Sequence, residues 1–206
     1  VAQRVIDLDP EGRIGVPSPA EYVVVDGKSA QAAADAIAGP VAVKVVSPDI
    51  LHKSDVGGVA LDVAPADAAA RVDAMLTQVR GAVPDARVEG CLITPMITGG
   101  TECIVGVHVD PVLGPAIMFG LGGIAVELLK DVATRLAPVC EDEALAMIRA
   151  IRSHPLLEGY RGRRKADIPA LARAISRISA LAAANPAITT IEVNPLLVLD
   201  EGQGVM

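Results

Sequence analysis

Aromatic residues are almost missing from this chain, which has no Trp, two Tyr and one Phe among its 206 residues. A core must therefore be built from Ala, Val, Leu and Ile, and 51% of the residues are hydrophobic. A chain of this length can bury one large core or two modest lobes. Val-rich runs bounded by Gly and Pro alternate with Ala-rich stretches, and this alternation predicts an α/β fold.

Cysteine, basic charge and long apolar runs are also scarce. Cys91, Cys103 and Cys140 lack the spacing of metal ligands, so we expect reduced thiols in a cytoplasmic protein. No apolar run is long enough to cross a bilayer, so we expect no membrane partner. The net charge of −7 argues against a nucleic-acid partner. A nucleotide remains a candidate ligand where cations, N–H groups or a metal gather locally.

Periodicity and turn residues divide the chain into short elements after an irregular lead-in over residues 1–15. Strands are predicted at 21–26, 41–46, 59–63, 87–94, 102–109, 115–119 and 188–193. Helices are predicted at 29–38, 67–80, 124–130, 141–152 and 167–183, with Ser29 and Asp167 as N-caps. A basic loop is expected between the last two helices.

Lys44 interrupts an otherwise apolar strand pattern at 41–46. An unpaired buried charge is costly, so this side chain must reach water or pair with an anion. One interpretation is an edge lysine whose ammonium group lies in water. The other is a lysine that contacts phosphate and is held rigidly by a sheet.

The polar loop that follows this strand contains His52, Lys53 and Ser54, and it ends with Gly57 and Gly58. Glycines let a backbone approach a ligand closely and offer N–H groups to phosphate oxygens. Histidine is a competent nucleophile near neutral pH. The loop is thus either a solvated turn or a phosphate loop with a reactive histidine.

A second glycine cluster, Gly120, Gly122 and Gly123, stands between a predicted strand and a predicted helix. Such a position suits an anion, because free N–H groups and the helix dipole point towards it. The cluster does not match the dinucleotide fingerprint or a Walker A loop. Taken alone, the cluster is better explained as a tight turn.

Glu192 and Asn194 flank one residue at the predicted end of the last strand. Two oxygen ligands at this spacing can both reach a Mg²⁺ ion where the strand end bends, and Mg²⁺ prefers oxygen donors and phosphates. The alternative is a polar strand terminus before Pro195.

Four stretches taken together resemble one known family, the ATP-grasp domains of NDP-forming acyl-CoA synthetases, such as ADP-forming acetyl-CoA synthetase. These stretches are VAVKVVSPDILHKSDVGGV at 41–59, the segment at 90–138, HPLLEGYRG at 154–162 and IEVNPLL at 191–197. The resemblance runs in the family's order and spacing. It implies an ATP-grasp fold over 16–206, in which two α/β lobes clamp a nucleotide and a hinge lies near 93–100.

The resemblance also assigns roles to positions. It implies that Lys44 contacts the nucleotide phosphates and that Glu102 accepts hydrogen bonds from the ribose. Asn194, with Glu192 beside it, matches the Mg²⁺ ligands, and His52 matches a loop histidine that carries phosphate transiently. The adenine edge would be read by the backbone of Ile93, Thr94, Pro95 and Met96. Phosphate would be held by the two glycine loops: Lys53, Ser54, Gly57, Gly58, Gly120, Gly122 and Gly123.

The chemistry implied by the resemblance transfers phosphate between a phosphohistidine and ADP or ATP, and so couples acyl-CoA to ATP. A CoA-binding subunit or fused domain is the implied partner, because no CoA-binding segment occurs here. In the family a strand with a second metal-binding aspartate follows, so we expect truncation at Met206. The alternative function is a regulatory module fused to a protein acetyltransferase. The HKSDVGG loop argues against a different ATP-grasp carboxylate ligase.

Overall fold

The structure is a computed structural model, and it describes residues 16–50, 52–122 and 130–206. The chain divides into two compact units. The N-terminal unit spans Pro19–Thr98, and the C-terminal unit comprises Gly99–Met206 together with the segment that ends at Ser18. Each unit combines helices with one four-stranded antiparallel sheet, which confirms the predicted α/β class.

The N-terminal unit places its strands in the order β1-β4-β2-β3. Its elements are β1 (Tyr22–Val24), α1 (Gly27–Ile37), β2 (Val41–Val46), β3 (Val59–Val63), α2 (Ala68–Ala82) and β4 (Gly90–Pro95). The odd-numbered valines of β2 belong to a core that also takes residues from both helices. The bounds predicted for β2 and β3 are confirmed, whereas β4 begins three residues later than predicted.

The start of α1 differs from the prediction. Asp26, rather than Ser29, is the N-cap, and its carboxylate accepts a hydrogen bond of 2.8 Å from the Ser29 N–H. Ser29 is the reciprocal partner of a capping box, with its hydroxyl oxygen 3.3 Å from the Asp26 backbone nitrogen. The prediction was wrong because both residue types cap helices, and only the backbone conformation decides between them.

The C-terminal unit places its strands in the order β7-β6-β5-β8. Its elements are β5 (Thr101–Asp110), β6 (Gly114–Leu121), β7 (Val132–Leu136), α3 (Glu141–Ala150), α4 (Ile168–Ala184) and β8 (Thr190–Val198). Both helices pack on one face of the sheet, over a core that includes Phe119. The predicted N-cap of α4 is confirmed, because the Asp167 carboxylate accepts from the Ala170 N–H at 3.0 Å.

Three predictions in this unit need correction or remain outside the structure. Strand β7 was not predicted, and β8 continues to Val198 rather than ending at Val193. The helix predicted at 124–130 falls almost wholly on residues that the structure does not describe. Among the described helices, none has the length and apolar character needed to cross a membrane.

Candidate functional site

Lys44 stands on the face of the N-terminal sheet that is turned away from α1 and α2. It lies opposite Leu92 of β4 and Val59 of β3, and Leu92 in turn lies opposite Val23 of β1. Residues directly opposite each other share a face, so these four side chains form one row across the sheet. Strand β2 is an inner strand, so Lys44 is not at the edge of the sheet, but its side chain is exposed, as the interpretation of a lysine in water expects. An exposed ammonium group beside apolar side chains suits a phosphate attached to an apolar ring.

His52 is exposed and immediately precedes a single 3₁₀ turn formed by Lys53–Val56. Its carbonyl oxygen accepts a hydrogen bond of 3.3 Å from the Asp55 N–H. The ring is therefore open to an incoming group, while the backbone beneath it is held by the turn. Lys53 is half-buried and Ser54 is exposed in the same turn.

Gly57 and Gly58 close this turn rather than offering free N–H groups. The Gly57 N–H donates to Ser54 O at 3.1 Å, and the Gly58 N–H donates to Lys53 O at 2.8 Å. Gly57 has a φ of 70°, and a Cβ at Gly58 would lie 2.5 Å from a Val45 methyl group. The turn and its close packing thus explain both glycines, and their N–H groups are already engaged in this conformation.

The segment predicted to read adenine lies mostly within β4. Ile93 is fully buried, while Thr94, Pro95 and Met96 are half-buried. The Met96 N–H donates to Pro40 O at 2.8 Å. This N–H is therefore engaged within the unit.

The C-terminal sheet also has a face turned away from its helices, which we call the grooved face. It carries a groove of about 650 Å³ lined by residues that include Ile104, Gly106 and Glu192. Glu102 is exposed, and it precedes a buried Cys103 in β5, so strand alternation places Glu102 on the grooved face. Its carbonyl oxygen accepts from the Gly122 N–H at 2.7 Å.

Glu192 and Asn194 lie within β8 rather than at its end, at an irregularity in the pairing with β5. The Asn194 amide nitrogen is 3.2 Å from Glu192 Oε1, so both side chains project from the same face. Because the amide nitrogen makes this hydrogen bond, the side-chain oxygen Oδ1 of Asn194 is left as an acceptor near the Glu192 carboxylate. An amide oxygen and a carboxylate oxygen are ligand types that Mg²⁺ prefers. Among the described residues, no three His, Cys, Asp or Glu side chains gather as metal ligands.

The second glycine cluster is only partly described. Gly120 lies inside β6, paired with Ile104 and Val132, and so is a strand residue rather than the predicted loop residue. Gly122 follows the strand, and its N–H donates a hydrogen bond to the backbone carbonyl oxygen of Glu102. Gly123 lies outside the described residues. Close neighbours explain Gly120, since a Cβ there would approach the Asp131 carbonyl oxygen to 3.0 Å.

Sequence reasoning missed the polar side chains at the far end of the groove. His108, Asp110 and Thr190 line it, and His108 lies directly opposite Thr190. The signal was present in β5, because strand alternation puts every second residue from Glu102 onward on one face. The groove is therefore lined by apolar side chains interspersed with polar ones, which include Glu192, His108 and Asp110.

Comparison with known proteins identifies the domain type. The sequence profile of the ATP-grasp domain matches residues 12–206. The chain belongs to the ATP-grasp family. In this ATP-grasp domain, each of the two sheets carries helices on one of its faces. The fold implied by the resemblance is thereby confirmed.

The relatives of this ATP-grasp chain are acyl-CoA ligases. It is 45% identical over 84% of its length to the ADP-forming acetate–CoA ligase I of Archaeoglobus fulgidus. It is 42% identical over 91% of its length to the β subunit of ADP-forming acetate–CoA ligase I of Pyrococcus furiosus. A solved acetyl-CoA synthetase of Candidatus Korarchaeum cryptofilum, in complex with coenzyme A, Ca-AMPCP and HgCl⁺, superposes with a TM-score of 0.86. That match has 34% identity over 93% of this chain and 83% of the other.

The extent of these matches differs between relatives. The chain spans 81% of the Pyrococcus β subunit but only 25% of the Archaeoglobus ligase. The predicted resemblance to ADP-forming acyl-CoA synthetases is confirmed. The alternative of a module attached to an acetyltransferase finds no support in these relatives.

Proposed function

We propose that this chain is the nucleotide-binding part of an ADP-forming acyl-CoA synthetase, and that it transfers phosphate between a phosphohistidine and ADP. The observation that carries the proposal is the grooved face, where Glu102, Glu192 and Asn194 stand on the neighbouring strands β5 and β8. The names of the relatives supply the acid–thiol ligase class. A CoA-binding subunit or fused domain completes the enzyme, because this chain is a fraction of the single-chain relative.

The roles of the residues follow from their chemistry. Lys44 neutralises charge on the phosphate oxygens, and its place on an inner strand holds its backbone in position. Glu102 accepts hydrogen bonds from ribose hydroxyl groups. Glu192 and Asn194 hold Mg²⁺ with oxygen atoms. When bound, Mg²⁺ screens the charges of the phosphates that approach each other.

His52 is the proposed carrier of phosphate within this chain. A ring nitrogen of His52 takes the phosphoryl group from a phosphohistidine of the CoA-binding part, so one N–P bond breaks as another forms. The terminal oxygen of ADP then attacks the phosphorus, which forms a P–O bond and returns a neutral imidazole. The exposure of His52 and the hydrogen-bonded turn beneath it fit this role.

The first test measures ADP binding to the complete enzyme by calorimetry in the presence of Mg²⁺. Lys44→Ala is expected to raise the Kd for ADP about tenfold or more, because a charge-assisted hydrogen bond is lost. Asn194→Ala is expected to raise the Mg²⁺ concentration needed for tight binding. Lys28→Ala, which removes an exposed lysine of α1, is the matched control. Equal Kd values for Lys44→Ala and the control would refute the phosphate contact.

The second test follows the phosphoryl group. The complete enzyme is incubated with γ-labelled ATP and Mg²⁺, and the labelled peptide is identified by mass spectrometry. We expect an acid-labile label on the peptide that contains His52 and no such label in His52→Ala. An acid-stable label would place phosphate on a hydroxyl such as that of Ser54. Unchanged turnover in His52→Ala would remove the carrier role.

A further inference from the structure

Positive charge is concentrated in one stretch of this acidic chain. Residues 149–177 contain eight Lys and Arg but only two Asp and Glu, a net charge of +6. Because the whole chain carries −7, the rest of it carries −13. The centre of the stretch is the segment 160–165, which we call the basic loop. All of its charged residues are exposed: Arg161, Arg163, Arg164 and Lys165.

The basic loop is held in one conformation by its base. The Ala166 N–H donates to Leu157 O at 2.9 Å, and both of these residues are buried. The Lys165 carbonyl oxygen accepts from the Glu201 N–H at 2.8 Å. Arg161 has a φ of 55°, in the left-handed region that is uncommon for a residue with a side chain. A pinned loop with an uncommon conformation at an arginine indicates that the position of this side chain matters.

Two of the four cations are already paired. Arg164 lies 3.0 Å from an Asp200 carboxylate oxygen, and Lys165 lies 3.8 Å from Glu158. Within the described part of the chain, Arg161 and Arg163 have no carboxylate partner. The Arg161 guanidinium instead lies 5.4 Å from the centre of the Tyr160 ring. Stacking on a ring leaves the edges of a guanidinium free for a carboxylate.

The surroundings of the loop resemble the centre of a protein interface. Tyr160 is 50% exposed, although the chain has only three aromatic residues in all. Tyr and Arg are enriched among the residues that dominate binding energy between proteins. A hollow of about 220 Å³ lies between Arg163, Arg164 and the end of β8, and it has room for one acidic side chain.

We infer that the basic loop is a docking surface for an acidic patch on the CoA-binding part of the enzyme, with Arg161 and Arg163 as the pairing residues. This inference rests on the proposed function, which requires such a part. A protein partner fits better than a free phosphate, because the exposed ring of Tyr160 beside the arginines offers apolar area that a small anion cannot cover. Charge complementarity of this kind speeds association and fixes its register.

The test uses the complete enzyme with the double reversal R161E/R163E. The matched control is R71E/R80E, which makes the same charge change at exposed positions of α2. Three quantities are measured: the Kd of ADP, the rate of ATP formation from acetyl-CoA, ADP and phosphate, and the molecular mass by light scattering. The rate is measured at about 50 mM and about 300 mM salt, because screening distinguishes charge pairing from packing.

We expect ATP formation by R161E/R163E to fall roughly tenfold at low salt and to lose the salt dependence of the wild type. The Kd of ADP is expected to stay within about twofold, which also shows that the variant is folded. The neutral variant R161Q/R163Q is expected to fall between the wild type and the double reversal. The control is expected to match the wild type.

Other outcomes overturn the inference in distinct ways. Unchanged ATP formation in R161E/R163E removes the docking surface. A parallel loss of ADP affinity would assign the arginines to the nucleotide site. A smaller mass in light scattering with unchanged ATP formation would identify a second copy of this chain as the occupant. If the wild type itself forms no ATP, the proposed function fails and the docking surface fails with it.

Discussion

Among single residues, Asp131 shows how one carboxylate joins two distant segments. It accepts hydrogen bonds from the Arg152 N–H at 2.8 Å, the Ser153 N–H at 2.7 Å and the Ser153 hydroxyl at 2.6 Å. The hydroxyl of Ser153 contributes most to lowering the pKa of Asp131, and the two backbone donors act in the same direction. Asp131 therefore fixes the start of β7 to the segment that follows α3.

Asp131→Asn is expected to destabilise the fold by about 1 kcal/mol, since an amide offers only one acceptor oxygen and the site is close to solvent. Because the pKa of Asp131 is lowered in the folded protein, its contribution to folding stability is complete at pH values above the ordinary pKa of 3.8. That contribution is lost as the pH falls through the pKa that Asp131 has in the folded protein. The difference in unfolding free energy should thus shrink below about pH 4. Denaturant titrations of Asp131→Asn and of the exposed control Glu201→Gln, at neutral and acidic pH, measure this. Equal stabilities at neutral pH would contradict the role.

The three cysteines differ from one another in burial, and we therefore expect them to differ in reactivity. Burial raises the pKa of Cys103 to about 12 and that of Cys91 to about 11, so both thiols stay protonated near neutral pH. Cys140 is exposed. Brief treatment of the native protein with iodoacetamide is expected to modify Cys140 alone, as read by mass spectrometry. The Cys140→Ser variant should then resist modification by iodoacetamide until denaturant is added. Rapid labelling of Cys103 in the native protein would instead show that its burial is transient.

At the scale of elements, the turn after His52 depends on a left-handed glycine. Gly57 has a φ of 70°, and a Cβ there would lie 2.1 Å from the Gln78 amide nitrogen. Gly57→Ala is expected to cost about 1–2 kcal/mol in unfolding free energy. Gly39→Ala is the control, because nothing lies within 4 Å of a Cβ at that position. Gln78→Ala should recover part of the loss by relieving the clash, and a full recovery would mean that the backbone conformation costs nothing.

Elements with a strong local signal could be predicted from the sequence, and others could not. The apolar run of β2 and the Asp167 cap carry their signals within a few residues, so both predictions are confirmed. Strand β7 reads VATRL, with a single buried residue, and its pairing with β6 comes from distant residues. Pro195 favoured ending β8 early, yet β5 continues to pair beyond it through an irregular register.

The candidate site was predictable as a set of residues but not as an arrangement. Resemblance selected Lys44, Glu102 and Asn194, and the structure adds the faces on which they stand. Local chemistry could not reveal that the N–H groups of Gly57 and Gly58 are consumed by their own turn. Strand alternation places Glu192 and Asn194 on one face, but the hydrogen bond between their side chains is visible only in the structure.

At the scale of the whole molecule, the two units have separate cores. The core of the C-terminal unit includes Ile175, and that of the N-terminal unit includes Val72, with no residue in common. Because the cores are separate, one unit can unfold locally while the packing of the other is kept. Under the proposed function, such independence would let one unit open while a nucleotide enters or leaves.

Ile175→Ala is expected to cost about 2–5 kcal/mol, because a fully buried side chain leaves a cavity. The loss should appear in hydrogen exchange as faster exchange in β5, β6 and β8, with β2 and β4 less affected. Val72→Ala should give the opposite pattern with a smaller change, because fewer methyl groups are removed. Equal acceleration in both units by either substitution would show that the chain unfolds as one cooperative body, and opening of a single unit could then not accompany nucleotide exchange.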